Sequence, residues 1–295
     1  MADYIFMTDS DSDLPFSLKQ KYDIPVVYMP YAVDGKEYFD DLGQTMDHKT
    51  YFDKMREGAT PTTSALNEAA YMEYFEPILK EKDLLFVAFS SQLSCTIQAI
   101  YAAREELLKQ YPERKFIVVD TLSISAPMTL LVLKAHEMYR AGQPIEAVAQ
   151  RLEDNKLRAQ AWFTVDDLKY LKRGGRISST AAAVGTLLNI KPILHLTTGK
   201  LDSYKKARGM NKACETMLES IRSDLAIRFQ EAHARGDVHL LAAGSADPLT
   251  TAKWLKQIEA AFPGMPILYD DLSMGVSCHT GEGALGIGLS VRPQV

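Results

Sequence analysis

Short apolar runs alternate with amphipathic segments along most of the 295-residue chain. The apolar runs that predict strands lie at residues 4–7, 24–29, 84–89, 116–119, 161–165, 193–197, 238–243, 267–269 and 285–289. The segments that predict helices lie near residues 46–57, 67–81, 95–110, 125–141, 145–156, 179–188, 211–234 and 248–261. Such alternation is typical of βαβ units and limits the chain to an α/β fold.

The order of these segments predicts two α/β domains. We expect an N-terminal domain over residues 1–159, with a mainly parallel sheet and flanking helices. We expect a C-terminal domain over residues 160–295, with a mixed sheet and helices. No linker rich in Gly, Pro or Ser separates them, so a ligand cleft between two closely packed domains is expected.

The composition is that of an ordinary globular protein, with 46% hydrophobic and 24% charged residues. The cysteines at positions 95, 214 and 278 are far apart, which favours reduced thiols over a disulfide framework or a zinc site. Neither a signal peptide nor a run of about 18 apolar residues is present. We therefore expect a cytoplasmic protein without stable membrane insertion.

The net charge of −5 is unevenly distributed. Residues 1–160 hold 17 Lys and Arg against 25 Asp and Glu, whereas residues 161–295 hold 16 against 13. Between residues 169 and 212, ten basic residues accompany one acid, Asp202. This patch fits a solvated surface or a docking surface for an acidic or phosphorylated partner. A nucleic-acid partner is not expected, because no reading motif accompanies the patch.

Two clusters of hydroxyl side chains precede predicted helices. Residues 90–96 read Ser-Ser-Gln-Leu-Ser-Cys-Thr, and residues 60–64 read Thr-Pro-Thr-Thr-Ser. A single Ser or Thr at such a place is often only a helix cap. Four hydroxyls within seven residues exceed what one cap needs, and free N–H groups at a helix start suit a carboxylate or phosphate. Residues 278–288 add His279, a potential donor, and glycines that permit close backbone approach.

These segments resemble motifs of the DegV family of bacterial fatty-acid-binding proteins, which includes the fatty-acid-binding subunits of fatty acid kinase. The similar segments are, in order, residues 8–15, 63–64, 90–96, 167–178, 188–194 and 279–288. The chain departs from the family pattern at four places, one of which is Ala65-Leu66 where Gln-Pro is frequent. Cys95 stands where Gly is usual, Glu282 where Pro is common, and Asp11 where a hydroxyl residue is found.

The resemblance implies that the chain binds a long-chain fatty acid, with the tail buried and the carboxylate held by hydroxyl residues at the domain interface. The residues expected to contact this ligand are Thr63, Ser64, Ser91, Ser94, Arg173, His279 and Thr280. The candidates for the wall of the apolar tunnel are Ile190, Ile193, Leu194 and Leu196.

The resemblance also implies a protein partner, the catalytic subunit of a fatty acid kinase. That enzyme would phosphorylate the bound acid to an acyl phosphate for phospholipid synthesis. The chain itself would then be a carrier with no catalytic residue, cofactor or metal, which agrees with its lack of a phosphate-binding loop. The residues expected at the docking surface are Arg176, Lys205, Lys206 and Arg208.

The main alternative is a cysteine-dependent acyl hydrolase or acyltransferase. Cys95 begins a predicted helix, a position that can activate a thiol, and His279 or His195 could serve as its base. No Gly-x-Ser-x-Gly elbow is present. A third interpretation is an interaction protein that uses the basic patch and binds no ligand.

The alternating acids Asp9, Asp11 and Asp13 suggest a metal loop. An EF-hand needs Gly at loop position six and Glu at position twelve, but these positions hold Leu14 and Gln20. The segment is therefore expected to be an Asx-type turn after the first strand, with a magnesium site of one or two carboxylates as the weaker possibility.

Overall fold

The computed structural model of the protein describes residues 3–177 and 189–291. In this part of the chain the predicted fold class is confirmed. Helices accompany a parallel sheet in the N-terminal half and a mixed sheet in the C-terminal half. The predicted helix at residues 179–188 lies outside the described residues.

A four-stranded parallel sheet forms the centre of the N-terminal domain, in the order β2-β1-β6-β7. Its strands are β1 (Tyr4–Asp9), β2 (Val26–Val27), β6 (Asp83–Ala88) and β7 (Phe116–Asp120). The helices of this domain are α1 (Phe16–Tyr22), α2 (His48–Arg56), α3 (Glu68–Leu79), α4 (Thr96–Gln110), α5 (Ser125–Arg140) and α6 (Ile145–Asn155). Residues 84–88 of β6 are fully buried, as expected for a parallel strand covered on both faces.

A small antiparallel sheet lies beside this domain, in the order β4-β3-β5. Its strands are β3 (Pro30–Val33), β4 (Lys36–Phe39) and β5 (Thr62–Thr63). Asp34 and Gly35 both have positive φ and form the tight turn between β3 and β4, as Asp-Gly pairs commonly do. The sheet is important for the site because β5 carries Thr63.

The C-terminal domain contains a six-stranded mixed sheet in the order β10-β9-β8-β13-β11-β12, in which only the β11–β12 pair is parallel. Its strands are β8 (Gln160–Thr164), β9 (Ile190–Leu196), β10 (Leu201–Arg208), β11 (Val238–Gly244), β12 (Ile267–Asp271) and β13 (Leu285–Val291). Its helices are α7 (Lys169–Arg173), α8 (Met210–Ile227), α9 (Gln230–Ala234), α10 (Pro248–Ala261) and α11 (Met274–Thr280). The single helix predicted at residues 211–234 is therefore two helices.

The two faces of the six-stranded sheet pack against different partners. One face, which includes Trp162 and Ile287, packs against α8 and α10 in a core of its own. The opposite face carries Leu194 and Ala243 and packs against the start of α5, at Ala126. Because α5 belongs to the N-terminal domain, this second face lies at the domain interface.

Sheet membership changes at Gln160, where β8 begins. The described strands of the two smaller sheets precede this residue, and those of the six-stranded sheet follow residue 159. The domain limits 1–159 and 160–295 stay a prediction that agrees with this change. Across residues 3–177 and 189–291, no helix has the length and apolarity required to cross a membrane.

Candidate functional site

A cavity of about 480 Å³ lies between the two domains. Six of the predicted ligand contacts line it, namely Thr63, Ser64, Ser94, Arg173, His279 and Thr280. A second part of the wall is apolar and comes from the interface face of the six-stranded sheet, at Ala161, Phe163, Leu196, Ala243, Gly286 and Gly288. The cavity therefore combines a polar end with an apolar arm.

Helix α11 and strand β5 meet at the polar end. The Thr63 hydroxyl and Nε2 of His279 form a hydrogen bond of 2.9 Å. Ser273 begins α11, because its hydroxyl accepts a hydrogen bond from the backbone N–H of Val276. On the other side of α11, the Tyr51 hydroxyl donates to the carbonyl of Met274 at 3.0 Å. The N-terminal domain thus fixes the helix that presents His279.

The imidazole of His279 is neutral at physiological pH. Burial, together with the nearby charges of Arg176 and Arg173, lowers its pKa to about 4. Its Nδ1 atom is buried without a hydrogen-bond partner among the described residues. Nε2 is bonded to Thr63 and Nδ1 is packed against Gly174, so the neutral imidazole holds the Thr63 hydroxyl in place at the cavity.

Two arginines add positive charge to the polar end. Nη2 of Arg173 donates to the carbonyl of Pro61 at 2.9 Å. Nε of Arg176 donates to the carbonyl of Leu93 at 3.1 Å, and its Nη1 donates to the carbonyl of Gly174. These bonds hold both guanidinium groups at the cavity wall, where they attract an anion. Arg176, which was predicted for the partner surface, therefore lies in the cavity lining.

The start of α4 supplies Ser94 and Cys95 to the cavity. The Ser94 hydroxyl accepts a hydrogen bond from the backbone N–H of Thr96 at 3.2 Å, so it also caps the helix. Ser91, the seventh predicted contact, is not part of the cavity wall. Its backbone N–H donates to Asp120 and its hydroxyl faces the amide of Gln92, because the chain turns away before the helix begins.

The apolar arm follows the register of the interface face. Phe163 pairs with Leu194 and Gly286, and Ala161 pairs with Leu196 and Gly288. Gly288 brings the sheet close to α5, since a Cβ there would lie 2.5 Å from backbone atoms of Ala126 and Pro127. Small residues on these strands therefore leave a narrow apolar channel beside α5.

Of the predicted tunnel candidates, Leu196 lines the cavity and Leu194 lies on the same face. Ile193 points to the opposite face and belongs to the core against α8 and α10. Ile190 is half-buried and lies outside the cavity wall. The sequence interpretation missed Ala161 and Phe163, although the period of two along a strand is the signal that would have separated the faces.

His195, one of the two possible bases for Cys95, is also on the face away from the cavity. Its ring stacks on Trp162 at 3.6 Å between centroids, and its Nε2 lies 3.3 Å from Oε1 of Gln160. The other possible base, His279, is engaged with Thr63. Cys95 lies at the cavity wall with an exposed thiol.

The remaining residues of the predicted partner surface lie on β10. Lys205, Lys206 and Arg208 are exposed, and β10 forms one edge of the six-stranded sheet. This strand has no apolar run that would predict it, because four of its eight residues are charged.

The imidazole of His279 leaves no room for a side chain at Gly174. A Cβ on Gly174 would lie 2.2 Å from Nδ1 of His279. Because the backbone of Gly174 is helical, alanine fits its φ and ψ but displaces the imidazole. We expect Gly174→Ala to reduce the free energy of unfolding by about 1–3 kcal/mol. In a double-mutant cycle with His279→Ala, most of this cost should disappear. An equal cost in both backgrounds would contradict the proposed clash.

The sequence profile of the DegV family, described as uncharacterised proteins, matches residues 5–292. A DegV domain-containing protein of Clostridium perfringens is 34% identical over 290 residues, which cover 97% of each chain.

Solved structures show the same fold. A DegV family protein from Thermus thermophilus, described for its fatty acid binding, is 32% identical with a TM-score of 0.84, covering 98% of this chain and 100% of its own. A DegV lipid-binding protein from Thermotoga maritima is 26% identical with a TM-score of 0.83, covering 100% of both chains. The match to the family profile spans nearly the whole sequence, and the chain belongs to the DegV family.

Proposed function

We propose that the protein binds one long-chain fatty acid, with the tail in the apolar arm of the cavity and the carboxylate at its polar end. The observation that carries this proposal is the combination of the two ends within a single cavity of about 480 Å³. The fatty acid binding described for the related protein from Thermus thermophilus supports it.

The apolar arm would supply most of the affinity. At about 0.8 kcal/mol for each buried CH₂ group, a chain of about 16 to 18 carbons offers on the order of 12 kcal/mol of transfer free energy. Ordering of the chain and loss of overall motion offset part of that amount. The sheet face carries small residues at Ala161, Ala243 and Gly286, which leave room for an extended hydrocarbon beside α5.

The polar end would fix the orientation. Thr63, Ser94 and His279 offer hydroxyl and imidazole groups, while Arg173 and Arg176 provide charge. A carboxylate accepts several hydrogen bonds at once, so this set can hold it without a buried lysine.

Mass spectrometry of organic extracts from the purified protein tests the proposal against its alternatives. We expect one long-chain fatty acid per chain, released without covalent attachment. An acyl group on Cys95 would instead support the acyl hydrolase or acyltransferase. A protein that carries no lipid and takes up none from added oleate would leave the basic patch as its functional surface.

The same proposal makes the protein a non-enzymatic carrier in the cytoplasm that presents its ligand to the catalytic subunit of a fatty acid kinase. The exposed cations of β10 support this role by their position. Ile193 pairs with Thr164 on one side and with Lys205 on the other. Thr164 pairs in turn with Leu285, next to the segment that carries His279. Lys205 therefore lies about three strand spacings, roughly 14 Å, from Leu285.

Charge reversal on β10 tests this docking surface. We expect Lys205→Glu with Lys206→Glu to lower acyl-phosphate formation with the kinase several-fold while fatty acid affinity stays unchanged, because electrostatic steering sets the association rate. The difference from the wild type should shrink as salt rises. Lys253→Glu with Lys256→Glu, on an exposed face of α10, is the matched control. Equal acyl-phosphate formation by both double variants would show that β10 is an ordinary solvated edge.

A further inference from the structure

The cavity that is proposed to hold a carboxylate has a carboxyl group in its own wall. Asp11 lines the cavity and is only 8% exposed. It follows β1 in a short 3₁₀ turn, Ser10–Ser12. Two like charges in one buried site repel strongly, so an ionised Asp11 would oppose the proposed ligand. The role of Asp11 therefore depends on its protonation state.

The surroundings of Asp11 favour the neutral acid. Asp9, Asp13 and Asp40 are also buried, and ion pairs found within 4 Å in residues 3–177 and 189–291 include none to these four carboxyl groups. Burial, with the charges of Asp9 and Asp40, raises the pKa of Asp11 well above its usual range, and the more distant Arg176 offsets this only in part.

The carboxyl groups of Asp9 and Asp13, on either side of Asp11 in the sequence, accept hydrogen bonds from backbone N–H groups. Oδ2 of Asp9 accepts from the N–H of Phe89 at 3.0 Å, and Oδ1 of Asp13 accepts from the N–H of Ser273 at 3.2 Å. Within the described residues, no group of three or more His, Cys, Asp or Glu side chains is arranged to hold a metal ion. Asp11 is the member of the acidic group that faces the cavity.

Asp11 also lies close to the polar end. Its Oδ1 atom is 3.0 Å from the position that a Cβ on Gly275 would occupy. Gly275 and His279 are four residues apart on α11, so they share one face of the helix at a separation of about one turn, roughly 5.4 Å. A carboxyl group beside Gly275 is therefore within reach of a ligand head group that contacts His279.

We propose that Asp11, as a neutral carboxylic acid, donates a hydrogen bond to the carboxylate of the bound fatty acid and thereby makes binding proton-linked. The inference rests on the proposed function. A carboxylic acid that its environment keeps neutral is a strong donor to an anion. When Asp11 ionises at higher pH, the donor is lost and the two carboxylates repel, so affinity falls. By linkage, binding raises the pKa of Asp11 further and takes up a proton.

Oleate binding measured from about pH 6 to about pH 9 tests the proposal, because the low pKa of His279 excludes it from this range. We expect wild-type affinity to weaken as pH rises. Asp11→Asn, whose amide still donates but cannot ionise, should bind oleate with a much weaker pH dependence, the remainder of which comes from Asp9, Asp13 and Asp40. Asp11→Leu should lose roughly 10- to 100-fold at the low end of the range. Calorimetry in buffers of different ionisation enthalpy should show clearly more proton uptake by the wild type than by Asp11→Asn.

Asp13→Asn is the matched control, because Asp13 belongs to the same acidic group but does not line the cavity. It should keep a pH-dependent affinity. A flat wild-type profile, an Asp11→Asn profile as steep as that of the wild type, or an Asp11→Asn variant that binds more tightly at every pH would overturn the proposal while fatty acid binding itself stands. A wild type that binds no oleate at any pH would overturn both. If Asp11→Leu does not fold, the Asp11→Asn profile still decides.

Discussion

Ala161→Phe is expected to weaken stearate binding by about 100-fold and to leave decanoate binding nearly unchanged. Ala161 lines the apolar arm and is three residues along β8 from Thr164, which pairs with Leu285 next to the segment that carries His279. At about 3.3 Å per residue, it lies roughly 10 Å further along the channel. A phenyl ring there would exclude about four methylene groups, which is on the order of 3 kcal/mol of lost transfer free energy.

The measurement is a series of dissociation constants for saturated fatty acids of increasing length. Decanoate serves as an internal control, because its binding shows that the variant folds and keeps its polar end. Ala252→Phe, on an exposed position of α10, controls for the added aromatic ring. If stearate and decanoate lose affinity equally in Ala161→Phe, the tail does not follow the β8 channel and the proposed placement of the ligand is wrong.

The sequence predicted the parts of the fold that depend on strong local patterns. The continuous apolar run of β6 and the amphipathic segments around it identify a buried strand between helices. The small sheet was not predicted, because β5 consists of only two residues, Thr62 and Thr63. Such a strand forms through its pairing with β3 and has no signal of its own.

Helix α11 shows the same limit at the site itself. Its sequence, Met-Gly-Val-Ser-Cys-His-Thr, contains few strong helix formers, and no helix is predicted there. Contacts from the other domain stabilise it, since Asp40 accepts from the N–H of Gly275 at 2.9 Å and Tyr51 binds the carbonyl of Met274. Thr63 and His279 are 216 residues apart in sequence, so no local pattern shows that they meet.

The family resemblance supplied most of the residues at the polar end, whereas the apolar wall needed the strand register. Consecutive residues of β9 point to opposite faces, so Ile193 enters one core and Leu194 another. A list of apolar residues cannot show which of them face the cavity. The orientation of at least one residue on the strand must be known first.

Asp13→Asn is expected to stabilise the protein at alkaline pH. Burial raises the pKa of Asp13 to about 8, that of Asp9 to about 7 and that of Asp40 to about 6. In the unfolded chain these groups titrate near pH 4. The native state therefore binds more protons between about pH 4 and pH 8, so these groups lower the free energy of unfolding as pH rises through that window. At about pH 9 the asparagine variant should have a melting temperature roughly 5–10 °C above the wild type.

The histidines act in the opposite direction. Burial lowers the pKa of His279 and His195 to about 4, so the unfolded state binds more protons between about pH 4 and pH 6.5, and stability falls as the solution is acidified. The histidines titrate alike in the variant and the wild type, so they do not change the difference in stability between the two. This difference should be small at about pH 5 and should grow steadily as pH rises to about 8. Asp202→Asn, at an exposed position of β10, is the control and should give no such trend. A constant difference between Asp13→Asn and the wild type at every pH would mean that Asp13 is already ionised in the folded protein and that its bond to Ser273 outweighs the cost of burial.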